Sequence, residues 1–176
     1  MKNIVATLTL FFATAISAQV AIGKTSISSP AVSLEFYDNA DNTRGIILPW
    51  VTSTAAVTGA VNGTIVYNTA DRKVYVKYAS GWRDLSVDTT GTVTTTLQDT
   101  LSDLETAKVL IGGNPDTDTT PGILVLADTD KAMVLPKVAS PHLNIVNPAA
   151  GMMVYDTTKK LLAVYNGTVW SYWRQP

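Results

Sequence analysis

Apolar and polar residues alternate over short runs of this chain, with a period of two. Val32, Leu34 and Phe36 alternate with Ser33 and Glu35, which is the pattern of a β-strand with one buried face. Similar short runs bounded by turn-forming residues predict two three-stranded antiparallel meanders, so the pattern indicates a mainly β protein. The predicted strands lie at roughly 64–68, 73–78 and 82–85, and at roughly 152–156, 161–165 and 169–173.

Each meander belongs to a longer segment that occurs twice. Residues 44–51 recur as 131–138, with a Leu-Pro dipeptide at the same point of both copies. Residues 63–69 recur as 151–157, around a shared Val-Tyr dipeptide. A duplicated β-rich segment predicts two units of the same fold, each a small antiparallel meander. The predicted units are 19–86 and 109–176.

A tryptophan closes each copy of the repeat. Trp82 follows Tyr67, and Trp170 follows Tyr155, at the same spacing. A large aromatic residue at a fixed place in a repeat is typical of a core position. We therefore expect each indole to be buried against its own meander, in contact with the tyrosine of its copy or with neighbours of that tyrosine.

The segment 87–108 between the units has a different character. Its first part is rich in threonine and predicts an extended linker. Its second part places Leu97, Leu101 and Leu104 at spacings of four and three, which predicts one short amphipathic helix of about 12 residues. A helix of that length is marginal in water on its own. It would lie on a β unit, or wind with copies of itself as a trimeric neck.

The first 18 residues have the pattern of a secretory signal peptide. Lys2 precedes an apolar run over 4–15, and Ser17-Ala18 supplies the small residues of a cleavage site. The apolar run is too short for a membrane anchor. We therefore expect a signal peptide over 1–18, export to the cell surface or beyond, and no membrane span in the mature chain.

Composition excludes several classes of function. Lys and Arg total 13 against 14 acidic residues, for a formal net charge of −1, which gives no basic surface for nucleic acid. The chain has no cysteine and one histidine, His142, so neither a Cys/His pair nor a zinc site can form within one chain. We expect no enzymatic activity, and hence no catalytic residue, cofactor or required metal.

Two sets of residues remain as candidates for binding. Loops 38–42 and 128–130 carry Asp and Asn side chains at matching places of the repeat, a pattern typical of β-turns and also of Ca²⁺ loops. Trp50 and Trp173 have no counterpart in the other copy. Since they are not required by the repeat, they are the candidates for surface contact with a glycan or a protein receptor.

The repeat also resembles a known type of sequence. Leu-Pro-x-Val, then Gly-x-x-Val-Tyr-Asp/Asn-Thr, then Tyr-Asn-Gly-Thr-x-Trp, clearest at 131–136 and 151–170, resembles a repeat of secreted proteins of the Bacteroidota. There it resembles the stalk and head modules of phage tail-fibre and adhesin-like proteins. The resemblance implies a β-rich fibre segment, preferably a homotrimer, with a role in surface recognition.

The expected function follows from these observations. Apolar residues lie on both faces of the short predicted strands, and a homo-oligomer would cover them. We expect a secreted or cell-surface, non-enzymatic structural or adhesive module that resembles a tail fibre. The alternative is a soluble, monomeric protein that binds a glycan or a small ligand.

Overall fold

The computed structural model describes residues 19–174 apart from Leu97, Asp103 and Glu105. The predicted signal peptide therefore lies outside the described residues. The described chain is mainly β, as predicted, with one short α-helix, α1 (Pro141–Asn144), and one 3-10 helix, Thr54–Ala56. The strands are β1 (Val20–Ile22), β2 (Val32–Phe36), β3 (Ile46–Ile47), β4 (Trp50–Val51), β5 (Ile65–Asn68), β6 (Lys73–Tyr78), β7 (Gly81–Asp84), β8 (Val109–Ile111), β9 (Leu124–Leu126), β10 (Ala132–Val134), β11 (Lys137–Val138), β12 (Met152–Asp156), β13 (Leu161–Tyr165) and β14 (Trp170–Trp173).

The strand order shows the predicted repeat. In the first unit β4 pairs in parallel with β5, and antiparallel β6 and β7 complete a four-stranded sheet. In the second unit β11, β12, β13 and β14 pair in the same way. The registers also agree, since Trp50 lies opposite Tyr67 and Lys137 lies opposite Tyr155. The two copies therefore fold into equivalent meanders, each with one additional parallel strand.

A short parallel pair precedes each meander. β1 and β2 pair with Val20 opposite Leu34, and β8 and β9 pair with Val109 opposite Leu124. The pairs occupy the same place in their units, so β9 is the repeat equivalent of β2. These strands have only three to five residues, and sequence periodicity did not distinguish the parallel pairing.

The two units pack directly on each other. β10 of the second unit pairs with β2 of the first, and β3 of the first unit pairs with β12 of the second. The largest apolar cluster combines Leu48, Tyr67 and Val74 with Met153 and Val164. The described repeat units thus share sheets and one core, while the exact unit boundaries stay a prediction.

The opposite face of the second meander has a core of its own. Val154 and Ala163, on neighbouring strands, are fully buried there. Val138 of β11 and Ile145, which follows α1, pack against them. The second sheet is therefore covered on both faces, as the apolar residues on both sides of its strands require.

The Tyr-Asn/Asp-Thr motif builds the first turn of each meander. The Asn68 side-chain oxygen accepts a 3.0 Å hydrogen bond from the Ala70 amide. The Asp156 carboxylate, at the same repeat position, accepts bonds of 2.8 and 3.0 Å from the amides of Thr158 and Lys159. Such bonds to the backbone two or three residues ahead stabilise a tight turn. The motif thus serves the hairpin.

The prediction of a helix within 96–108 is wrong, because the described residues of that segment form turns and irregular backbone. Leu101 and Leu104 are 70% and 77% exposed, and Leu97 lies outside the described residues. The threonines of the segment are β-branched and favour extended backbone. Since the two described leucines are exposed, little packing energy is available to stabilise so short a helix.

The beginning of the linker is attached to the second unit. The Asn166 side-chain amide donates a 2.8 Å hydrogen bond to the Asp88 carboxylate. The Thr92 hydroxyl donates a 2.8 Å bond to the Gly167 carbonyl. The start of the linker therefore lies across the turn between β13 and β14 and joins the two halves of the chain.

Candidate interaction surface

Side chains of the acidic loop at 38–42 form ion pairs and hydrogen bonds with other parts of the chain. The Asp38 carboxylate lies 3.2 Å from the ammonium groups of both Lys24 and Lys137. Hydrogen bonds from Lys24, and then from Lys137, hold the pKa of Asp38 below its usual value. The buried Asn42 side chain donates a 3.1 Å bond to the Lys137 carbonyl. This loop joins the two units, which is a structural role.

The second acidic loop is also paired. The Asp128 carboxylate accepts a 3.2 Å hydrogen bond from Ser33 and lies 3.3 Å from the Lys131 ammonium. Across the residues that the structure describes, no group of three or more metal-ligating side chains is placed to hold an ion.

A buried ion pair lies beside the first loop. Glu35 is fully buried on β2, and its carboxylate lies 2.9 Å from the Lys24 ammonium. The Ser28 amide donates a 2.7 Å hydrogen bond to the same carboxylate. Burial alone would raise the pKa of Glu35, but the bonds from Lys24 and Ser28 outweigh burial, so this pKa is lowered.

Acid is therefore expected to destabilise the folded chain through Glu35 and Asp38. Both carboxyls have folded-state pKa values below their usual 4.5 and 3.8. Their contribution to the free energy of unfolding is complete above these usual values and is lost as the pH falls through the lowered values. Melting temperatures measured between about pH 6 and pH 2.5 should show this loss. A Lys24→Met variant should show a smaller one, and an identical pH profile for both proteins would contradict the assignment.

The two candidate contact residues are half-buried. The Trp50 indole donates a 3.0 Å hydrogen bond to the Ala150 carbonyl, and its ring centroid lies 6.2 Å from that of Tyr67. Trp173 lies opposite Leu162. Both tryptophans pack against the shared core. A large part of each ring is thus engaged within the chain, and a role in receptor contact stays a prediction.

The expected burial of the two repeat tryptophans is corrected by the structure. Both indoles are half-buried, and strand alternation places Trp82 and Trp170 on the faces opposite Tyr67 and Tyr155. Trp170 packs against the second cluster, with its ring 5.2 Å from that of Tyr165. The fixed repeat position reflects the outer face of each meander.

His142 belongs to a small aromatic group on the outer face of the second unit. Its Nδ1 lies 3.0 Å from the Tyr172 hydroxyl, in an exposed hydrogen bond. The Lys159 ammonium lies 3.4 Å from the centre of the Tyr172 ring, as in a cation–π contact. The histidine thus contacts Tyr172 through a hydrogen bond and an edge-on ring contact, and Lys159 lies over the same tyrosine.

Exposed apolar side chains are prominent in the second unit. Ile123 and Leu124, at the start of β9, are 64% and 47% exposed. Leu143 and Val146, in and after α1, are 72% and 81% exposed. Large apolar side chains that are exposed to this degree are candidates for a protein–protein contact. Sequence reasoning missed this surface, although the apolar run 123–126 after Pro121-Gly122 was a usable signal for a strand.

A cleft lies where the two units meet. Phe36, Tyr37 and Arg44 of the first unit and Pro136 of the second are among the residues that line it. The cleft mixes aromatic, charged and apolar side chains.

Comparison with known proteins identifies a resemblance in the second unit. No curated protein and no solved structure shows significant similarity to the chain. Within the described part of the chain, no helix has the length and apolar character needed to cross a membrane. A family model described as "Phage tail like trimerisation region" matches residues 112–175, which is less than half of the chain. The second unit is therefore similar to a tail-fibre-like structural region through which chains form trimers.

Proposed function

We propose that this protein is an exported, homotrimeric structural module of a tail-fibre-like surface assembly. The observation that carries the proposal is the trimerisation-region match over residues 112–175. Those residues include Ile123, Leu124 and Val146, which expose apolar surface that a second copy would cover. The chain has no cysteine, so packing and association of chains, and not disulfides, would stabilise it outside the cell.

Export and surface recognition are further parts of the proposal. The signal-peptide pattern over 1–18 supports export, and the resemblance to repeats of secreted Bacteroidota proteins supports a place at the cell surface. Recognition of a glycan or a protein receptor would use aromatic side chains on the outer faces, with Trp50 and Trp173 as the candidates. The role is non-enzymatic.

The cleft between the units favours a second candidate function. A soluble, monomeric protein could hold a glycan or a small ligand between Tyr37 and Arg44, since an aromatic ring and a guanidinium together suit a sugar or an anion. This function requires no association of chains. The oligomeric state therefore separates the two candidates.

Light scattering and a glycan array on the same preparation of residues 19–176 test the proposal. A trimer that binds one class of glycan or a surface extract supports the adhesive module. A trimer without glycan binding limits the proposal to a structural role. A compact monomer that binds a sugar through the cleft, and loses binding in an Arg44→Ala variant, would replace the proposal with the second candidate.

A further inference from the structure

The β9 strand has one unpaired edge. It pairs only with β8 among the described strands. The Val109 amide donates to the Ile123 carbonyl at 2.8 Å, and the Ala127 amide donates to the Ile111 carbonyl at 2.9 Å. In a parallel ladder, alternate residues bond to the same neighbour. The backbone groups of Leu124 therefore face the unpaired edge.

The equivalent strand of the first unit has a partner on that edge. β2 is paired on one side with β1 and on the other with β10. As a result Leu34, the repeat equivalent of Leu124, is 1% exposed, whereas Leu124 is 47% exposed. The two positions differ because the second unit covers the first, while nothing in the described chain covers β9.

The first unit has an unpaired strand edge that matches the one on β9. β3 is the repeat equivalent of β10, but among the described strands it pairs only with β12. The Leu48 amide donates to the Gly151 carbonyl at 3.1 Å, so by alternation Ile47 points its backbone groups to the opposite, unpaired edge. Its side chain is 45% exposed. Among the described strands, β3 of the first unit and β9 of the second unit thus each have an unpaired edge.

Gly63 and Gly151, which are equivalent positions of the repeat, show the same difference between the two units. A Cβ on Gly151 would lie 2.8 Å from the Cβ of Tyr67, because the second unit packs on the fully buried tyrosine. Gly63, at the same repeat position, has nothing within 4 Å of such a Cβ. Tyr155, the equivalent of Tyr67, is only half-buried. Again the first unit carries the covering residue and the second unit carries the uncovered one.

We propose that the β9 edge of one copy accepts the β3 strand of a second copy in parallel. This contact between two chains would have the same geometry as the interface between the two units of one chain. The internal register of β2 and β10 then places Ile46 of the second copy opposite Leu124, and Ile47 opposite Val125. Gly63 of the second copy would pack on Tyr155. The inference rests on the proposed self-association and specifies its seam, which joins different surfaces of the two copies.

Proline at the two edges tests the seam. Leu124→Pro removes the amide at the accepting edge, and Ile47→Pro removes it at the donating edge. Neither amide has a partner among the described residues, and proline is tolerated on the free side of an edge strand. Leu124→Ala and Ile47→Ala are matched controls that keep the amides. Mass in solution and a thermal melt are measured for each chain of residues 19–176.

The expected result is that each proline variant is a folded monomer at a concentration where the wild type is associated. The alanine controls are expected to associate more than the proline variants. An equimolar mixture of the two proline variants should form a dimer, since each supplies the edge that the other lacks. Variants that stay trimeric would overturn the seam while leaving the trimer intact. A mixture that stays monomeric would also overturn it.

Two further outcomes separate the seam from the proposed trimer. A wild type that assembles beyond three chains, with monomeric proline variants, would support the seam and contradict the trimer. A monomeric wild type would contradict both. If a proline variant fails to fold, Leu124→Lys and Ile47→Lys keep the amides and place a charge at each edge. Trimeric lysine variants would then overturn the seam.

Discussion

Replacing Tyr67 with alanine is expected to lower the free energy of unfolding by about 3–5 kcal/mol. The ring is fully buried in the core that the two units share. Its hydroxyl donates a 2.8 Å hydrogen bond to the Asn166 carbonyl of the second unit. Alanine would leave a cavity bordered by both units and a buried carbonyl without its partner. Denaturant unfolding followed by circular dichroism measures the loss.

The repeat supplies the control for this prediction. Tyr155 has the same place in the second unit but is half-buried, so Tyr155→Ala should cost much less. Both substitutions are made in the Leu124→Pro background, which removes the proposed association from the comparison. Tyr67→Phe, which loses only the hydroxyl, should cost about 1–3 kcal/mol. Equal losses for the two alanine variants would contradict the shared core.

Gly151→Ala is expected to cost roughly 2–5 kcal/mol, for two separate reasons. Its φ of +78° is in the left-handed region, where a residue with a Cβ is strained by roughly 1–2 kcal/mol. In addition the new Cβ would lie 2.8 Å from the Cβ of Tyr67 and 3.0 Å from its Cγ. Overpacking of a core of this kind adds about 1–3 kcal/mol. The midpoint of thermal or denaturant unfolding measures the effect.

Gly63→Ala separates the two contributions. Gly63 has a φ of +90° at the same repeat position, with open space where the Cβ would lie. In the Leu124→Pro background it should show only the backbone cost, about 1–2 kcal/mol. If Gly63→Ala destabilised the chain as much as Gly151→Ala, the packing of Gly151 on Tyr67 would not be the source of the larger loss.

The meander strands could be predicted from the sequence because their signals are local. Alternation and turn residues placed strands at 152–156 and 161–165, where β12 and β13 lie. The parallel pairs of β1 with β2 and of β8 with β9 were missed. These strands are very short, and a parallel partner is not adjacent along the chain, so no local pattern marks it.

The candidate surface was harder to predict for a related reason. β2 alternates apolar residues with Ser33 and Glu35, whereas β9 is apolar throughout, and neither pattern shows that β10 covers only β2. The leucine spacing at 97–104 predicts a helix, but the threonines around it favour extended backbone, and the described residues there form no helix. The repeat tryptophans were expected to be buried but are half-buried on the faces opposite Tyr67 and Tyr155, since a fixed repeat position is compatible with either side of a strand.

The mass of residues 19–176 in solution, measured by sedimentation over a dilution series, tests the central claim most directly. The claim is that the second unit, which matches a trimerisation region over 112–175, joins copies of this chain into a structural module. The account predicts one species with three times the mass of a single chain, dissociating only on dilution. A compact and stable monomer across the whole series would contradict it.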